Sequence, residues 1–323
     1  MYGRDVEREG WPSVSVVMPI RNEADHLEAA VASVLSQQYP SDFDICLAIG
    51  PSDDGTEEVA ARLAETDPRV LVVANPAGVT PAGLNAAIAA TTGEVIVRVD
   101  GHAVLSAGYI RRAIETMIRT GAVNVGGRQV PRPETPFEAA VAAATTSWLG
   151  TGGATYRLGG QEGPVDTVYL GVFDRAAGDA VDWFADDLIR NQDYELNIRL
   201  RAAGGEVWFD PELSVGYRPR GSWKSLAKQY YEYGWWKAEV ARRHPRSLRA
   251  RQLAPTVAIG AATAGTLLGG RWKPARLAPL AYLTVVGLAG WSARRPLVAP
   301  VLVAIHTSWV AGFALQVARR LRR

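Results

Sequence analysis

Asp100-Gly101-His102 is the stretch of this sequence best equipped for chemistry. A carboxylate and an imidazole two residues apart, with a glycine between them for close backbone approach, can both reach one divalent ion carrying a diphosphate. The trio follows Val95-Ile96-Val97-Arg98-Val99, whose β-branched residues read as a buried strand. It therefore falls in the loop at a strand's carboxyl end, where ligands bind in open α/β sheets. The same residues also read as a strand followed by an Asx-type turn, and the rest of the chain has to decide. Three further polar clusters stand in order around it: Pro19-Ile20-Arg21-Asn22-Glu23, Ser52-Asp53-Asp54-Gly55-Thr56 and Gln192-Asp193.

The elements that must position these clusters follow from periodicity. Val14 to Met18, Phe43 to Ile49, Val70 to Ala74 and the Val95 stretch read as four strands. Helical patterns separate them over Ala24 to Gln38, Glu57 to Glu65 and Pro81 to Ala90, the last containing Asn85. Strands alternating with helices at this spacing need crossover connections, which predicts an α/β fold with a mostly parallel sheet and flanking helices. The loops after the first, second and fourth strands then converge on one edge. Further on come a strand over Val123 to Val130 carrying Arg128, a small-residue helix over Phe137 to Leu149, a glycine-rich loop from Gly150 to Gly163 and strands near Val165 to Phe173 and Glu206 to Phe209. Arg218 and Arg220 precede an aromatic, basic helix over Trp223 to Arg243 that contains Gln229 and Trp235. Neither G-x-G-x-x-G after the first strand nor G-x-x-x-x-G-K-[ST] occurs, which disfavours a dinucleotide dehydrogenase or a P-loop enzyme.

Composition sets the outer bounds. The 323 residues are 48% hydrophobic and 21% charged, as in a globular protein. A net charge of +2 is too balanced to imply nucleic acid. Cys46, the sole cysteine, excludes an intrachain disulfide framework and a cysteine zinc site. Residues 1–11 are charged and lack an apolar core, which argues against an ordinary signal peptide and for a cytoplasmic amino-terminal part. After Gln252 come three apolar runs, about Leu253 to Gly270, Leu277 to Trp291 and Leu297 to Ala318, of which the last alone has the length of a span. Three in succession predict membrane helices after a catalytic domain, the expected division being 1–245 and 246–323. Three full spans would put the terminal arginines and the Arg271-Lys273-Arg276 loop outside, against the positive-inside rule, so two spans and a cytoplasmic carboxyl terminus are expected.

With its four clusters in this order, the chain resembles the glycosyltransferase family 2 enzymes of GT-A fold, and among them the succinoglycan-type glucosyltransferases with a carboxyl-terminal membrane segment. The resemblance covers roughly Val14 to Arg243. It implies that Pro19, Arg21 and Glu23 form a first loop that helps hold a nucleotide-diphosphate sugar, although Glu23 also reads as a solvated helix-start acid. Asp100 and His102 match the metal-binding DxD motif, with His in place of its second Asp. Imidazole suits manganese better than magnesium, so Mn2+ is expected over Mg2+. Asp193 matches the catalytic base; read alone, it is equally a first-turn aspartate favoured by the helix dipole. One base with direct displacement implies inversion at the sugar.

Two departures from the family pattern stand out. The second loop reads Ile49-Gly50-Pro51-Ser52, without the usual aspartate before Gly-x-Ser, so Asp54 is the candidate substitute and otherwise a turn or cap residue. Gln229 to Trp236 stands where processive relatives carry QxxRW but lacks the arginine, which argues against a processive polymerase. Asn85 joins the expected donor site, and Arg128, Gln192, Arg218, Arg220 and Trp235 are weaker candidates for diphosphate or acceptor contacts. The implied function is metal-dependent transfer of a sugar to a lipid-linked or polysaccharide acceptor, at the cytoplasmic side of a cell membrane. A non-catalytic scaffold on a decayed transferase fold and a nucleotidyltransferase are the competing readings.

Overall fold

The structure, a computed structural model, describes residues 10–322, without the side chains of residues 250 and 251. Residues 1–9, most of the segment that argues against a signal peptide, and Arg323 lie outside the described residues.

The chain forms two compact units, the first running to Val130 and resuming over Gly159–Tyr217. Its amino-terminal half alternates strand and helix: β1 Val14–Ile20, α1 Leu27–Leu35, β2 Phe43–Ile49, α2 Thr56–Thr66, β3 Val70–Ala74, α3 Thr80–Ala89 and β4 Val95–Arg98. A short β5, Val104–Leu105, leads to α4 Tyr109–Thr120 and β6 Asn124–Pro131. In the second unit α5 is Pro136–Thr145, followed by the single turns α6 Trp148–Thr151 and α7 Thr155–Leu158, where the sequence suggests only a glycine-rich loop. The first unit then continues with β7 Gly163–Pro164, β8 Tyr169–Asp174, α8 Arg175–Asp179, α9 Gln192–Ala202 and β9 Val207–Tyr217.

One sheet in the order β3-β2-β1-β4-β8-β6-β9-β5 carries this unit, with β7 paired to β9. The pairs β2–β3, β1–β2 and β1–β4 are parallel, as the crossover spacing predicts. Beyond β4, the β4–β8, β6–β8, β5–β9 and β7–β9 pairs are antiparallel. Side chains alternate across β1: Val14, Val16, Met18 and Ile20 pack with Leu27, Ala30, Val31 and Val34 of α1, whereas Val17 joins Leu84 of α3 and Leu196 and Leu200 of α9. Both faces are thus covered, which is why β1, β2 and β4 are largely apolar, with Ser15, Asp44 and Arg98 the exceptions. Cys46 is a buried thiol in β2, pushed up to about 12 by burial and by Asp44.

The second unit comprises Pro131–Leu158 and Arg218–Arg323. Its helices are α5 to α7 with α10 Trp223–Arg243, α11 Ala250–Leu268, α12 Leu277–Ser292 and α13 Val298–Leu321. Ala140, Val141 and Ala144 of α5 pack with Leu226 and Tyr230 of α10 and with Val298, Val301, Leu302 and Ile305 of α13. This shared core puts the aromatic helix α10 in the same compact unit as the carboxyl-terminal helices. Among the described residues one helix, Val298–Leu321, is long and apolar enough to cross a membrane.

Candidate active site

The parallel register places the loops. Val17 of β1 pairs with Arg98 of β4, and Ile20 with Ile49 of β2, so the loops after these strands leave the sheet side by side. The first two are knitted together. Asn22, at φ 53°, donates its backbone N–H to Ser52 Oγ at 3.1 Å and accepts from the Asp53 N–H at 3.1 Å. Asparagine tolerates this left-handed conformation. The Glu23 N–H donates to Thr56 Oγ1 at 2.8 Å, and the Ala24 N–H to Asp54 Oδ2 at 3.1 Å. Asp54 Oδ1 also accepts from the Thr56 N–H and hydroxyl. These hydrogen bonds, Thr56 Oγ1 first, hold the Asp54 carboxyl below its ordinary value. The carboxylate ties two loops and turns the chain into α2. Arg21 donates to the Gly78 carbonyl at 3.1 Å.

The loop after β4 reaches back to the first. His102 Nδ1 lies 2.6 Å from Glu23 Oε1. Gly101 makes the approach possible, because a Cβ there would meet Ile20 Cδ1 at 2.8 Å and Glu23 Cγ at 3.0 Å.

At the end of β4 stands a residue to which the sequence assigns no role. Arg98 is buried, with 7% of its side chain exposed, and donates through Nη2 to Asp100 at 2.8 Å and through Nη1 to Asp193. Its Nε is buried without a hydrogen-bond partner among the described residues. A cation in a valine-rich strand is itself a signal, because a buried charge requires partners. The two aspartates flanking the site in sequence are those partners. Asp193 sits in the first turn of α9, after Asn191 at φ 61°, and a third of its side chain is exposed. Gln192 beside it is buried.

The electrostatics separate the two carboxylates. Burial pushes Asp193 up; the charge of Arg98 and its hydrogen bond offset this only in part, and the charge of Asp100 adds to the rise. Burial works the same way on Asp100 but is outweighed there, chiefly by Arg98 and then His102, with Arg190 contributing, so that carboxyl ends below its ordinary value. Arg98 is held charged: burial opposes this, and Asp100 and Asp193 outweigh it. Asp193 is therefore the more basic of the two carboxylates, and Asp100 the more firmly ionised.

Of the other sequence candidates in the first unit, Asn85 supports this cluster and the rest lie elsewhere on the sheet. Asn85 clasps the loop before α9, donating to the Phe184 carbonyl at 2.7 Å and Asp186 Oδ1 at 2.8 Å and accepting from the Phe184 N–H. Pro19 lies in β1, paired with Ala48. Arg128 lies on β6, beside Gly159. In the second unit, Arg218 pairs with Glu134 and Glu138 at 2.8 and 2.9 Å, Arg220 is exposed, and Trp235 stacks on Tyr231 with Arg319 over its ring.

Among the described residues, no three carboxylate, imidazole or thiol groups form a metal cage on their own. Asp100 and His102 together offer one carboxylate and one imidazole. That donor set fits a divalent ion whose remaining positions are filled by diphosphate oxygens and water, as is usual for ions bound together with nucleotide phosphates.

A half-parallel sheet with acidic loops at the carboxyl ends of β1, β2 and β4 is the layout of a GT-A glycosyltransferase. In fold the chain is similar to mannosyltransferase PcManGT from Pyrobaculum calidifontis, solved in complex with GDP-Man and Mn2+, with a TM-score of 0.68 at 19% identity over 94% of this chain and 88% of that one. The glycosyl transferase family 2 model matches residues 15–180. The succinoglycan biosynthesis protein ExoA of Rhizobium meliloti is 31% identical over 310 residues, 92% of this chain and 93% of that protein. A dolichyl N-acetyl-alpha-D-glucosaminyl phosphate 3-beta-D-2,3-diacetamido-2,3-dideoxy-beta-D-glucuronosyltransferase of Methanococcus voltae is 24% identical over 230 residues, 68% of this chain and 71% of that protein. The chain belongs to glycosyltransferase family 2, and is a glycosyltransferase.

Proposed function

We propose that this enzyme is an inverting, metal-dependent transferase that moves a sugar from a nucleotide-diphosphate donor to a hydroxyl of a lipid-linked or polysaccharide acceptor, at the cytoplasmic side of a cell membrane. The observation that carries the reading is the single guanidinium of Arg98 bound to both Asp100 and Asp193. It holds the base of the reaction and the diphosphate-side carboxylate in one rigid frame, so that acceptor and donor groups meet at a fixed separation.

Asp193, with its raised proton affinity, accepts the proton of the acceptor hydroxyl as that oxygen attacks the anomeric carbon. The new C–O bond forms opposite the bond to the diphosphate, which breaks with its electron pair going to the leaving nucleoside diphosphate. One displacement inverts the anomeric centre. Asp100 and His102 would hold a divalent ion, which supplies charge neutralisation to the diphosphate when bound. The imidazole favours Mn2+ over Mg2+. Glu23 orients His102, the loops around Ser52 and Asp54 fix Glu23, and Asn85 fixes the approach to α9. The acceptor class is supported by the polysaccharide named for the Rhizobium meliloti relative and the lipid-linked sugar named for that of Methanococcus voltae. Membrane location is supported by the apolar carboxyl-terminal helices, and the cytoplasmic side by their basic flanks.

The experiment is a screen of nucleotide sugars with Mn2+, comparing the wild type with Asp193→Asn. Turnover that disappears in D193N while donor binding survives, with a product of opposite anomeric configuration by NMR, is expected. A product that retains the donor configuration, or full activity in D193N, overturns the reading.

A further inference from the structure

The one described helix long and apolar enough to span a membrane, α13, is packed along one face within its own unit. The buried positions of α13 are Val298, Val301, Leu302, Ile305, His306, Gly312 and Gln316, a three-and-four spacing that runs along one face of the helix. Its amino-terminal half is covered by α5 and by one face of α12, whose Tyr282 hydroxyl lies 3.0 Å from His306 Nδ1, and His306 Nε2 lies 2.9 Å from the Leu149 carbonyl of α6. Its carboxyl-terminal half is covered by α10.

The two helices run parallel. Lys228 and Tyr231 face Thr307, Ser308 and Ala311, and further along Arg320 reaches Glu239 at 3.1 Å. They also touch backbone to backbone, since a Cβ at Gly234 would lie 2.0 Å from the Trp309 carbonyl oxygen and one at Gly312 would lie 2.0 Å from that of Tyr231. A bilayer around α13 would therefore enclose α10 as well. Between Lys224 and Arg243, α10 carries seven charged side chains, several times what a helix in hydrocarbon tolerates.

The apolar surface lies elsewhere. On α12, Leu280 and Leu283 are more than half exposed, Leu288 is 62% exposed and Trp291 84%. On the preceding α11, Val257 is 69% exposed and Leu267 74%. Basic residues and tryptophans bracket α12: Arg271, Trp272 and Lys273 before it, Trp291, Arg294 and Arg295 at its far end. Indole rings and cations at both limits of an apolar stretch suit a lipid surface with anionic headgroups, and do not suit a dry protein partner.

We infer that the α11–α12 hairpin lies in the headgroup interface of an anionic lipid bilayer, its exposed apolar side chains in the lipid and Arg271, Lys273 and Arg294 at headgroup level, and that α13 does not cross the bilayer, both ends of α13 staying on the side of the catalytic unit. This rests on the membrane reading of the proposed function. With Cys46 buried, single cysteines introduced as Leu297→Cys and Arg322→Cys report on the two ends of α13 against little background. In sealed inside-out and right-side-out membranes, a membrane-impermeant maleimide is expected to label both from the catalytic face; labelling from opposite faces overturns the inference. In flotation of the full chain with phosphatidylglycerol-containing vesicles, L280E/L283E/L288E is expected to weaken binding by at least about a hundredfold. L315E/V317E, on the exposed side of α13, is expected to change it by less than about threefold, with unaltered circular dichroism in both variants. Release by L315E/V317E overturns the assignment. So does a triple variant that stays bound while a dimer of the wild type dissociates, which gives the face to a second copy. A wild-type chain that floats with no vesicle removes the membrane reading itself, an outcome distinct from opposite-face labelling.

Discussion

His102 Nδ1 stands 2.6 Å from Glu23 Oε1, joining the loop after β4 to the loop after β1. The imidazole that replaces the second aspartate of the motif is therefore not a stray donor; it is oriented by a carboxylate, as metal-binding histidines commonly are. An aspartate in its place would confront Glu23 with a like charge. His102→Asp is expected to keep turnover but to lower the Mn2+ to Mg2+ activity ratio by about tenfold, as the ligand hardens. Steady-state rates across a titration of each metal check this. Complete loss with both metals would mean that the imidazole has a task other than ligation.

Gly101 tests the same relationship by shape. A methyl group there would press on Ile20 Cδ1 at 2.8 Å and Glu23 Cγ at 3.0 Å. Gly101→Ala is expected to displace Glu23 and with it His102, raising the donor KM several-fold, with a smaller effect on kcat and a thermal midpoint within about 4 °C of the wild type. An unchanged donor KM would show that the Glu23–His102 contact does not serve the donor.

The four parallel strands and their helices were legible because the central strands are covered on both faces and so are mostly apolar, as Val14, Val16, Val17 and Met18 of β1 illustrate. In the antiparallel half the strands near residues 123–130, 165–173 and 206–209 were legible but their direction was not, since it comes from long-range pairing that leaves no periodic mark. In the site, Asp100, Asp193 and the first loop were visible as polar clusters at strand and helix ends. Arg98 was hidden in plain view: a strand reading scores it as one polar interruption, whereas its meaning lies in Asp193, which the fold brings to it from far along the chain. Asp54 and Asn85 read as polar residues near the site, but their hydrogen bonds go to the loops that shape it.

Removing Arg98 leaves two carboxylates facing each other without their cation. Arg98→Met is expected to lower kcat by at least about a hundredfold and to destabilise the fold by about 3 kcal/mol, the usual consequence of breaking a buried ion pair from one side. Arg98→Lys restores the charge but cannot span both aspartates with a planar fork, so partial recovery of stability with little recovery of kcat is expected. Denaturant unfolding and single-turnover rates separate the two effects. If R98M retains full kcat, the guanidinium is a structural counter-ion and no more.

Glu239 offers a pH test outside the active site. Hydrogen bonds from Arg242, then the charges of Arg242 and Arg320 and a bond from Arg243, hold its carboxyl at about 2 against burial, which works upward. A folded value below the unfolded one means that the folded state binds fewer protons over that interval. Its contribution is therefore fully present above the ordinary carboxylate value and is lost as pH falls through about 2. The side chain is 4% exposed, and the displacement corresponds to about 3 kcal/mol at neutral pH. Glu239→Gln is expected to lose most of this at pH 7 and to converge on the wild type as the pH is lowered below the ordinary glutamate range. The comparison is made by denaturant unfolding across that window. A constant difference between the two proteins at every pH would assign the effect to packing along the Gly234 and Gly312 contact and not to the charge of Glu239.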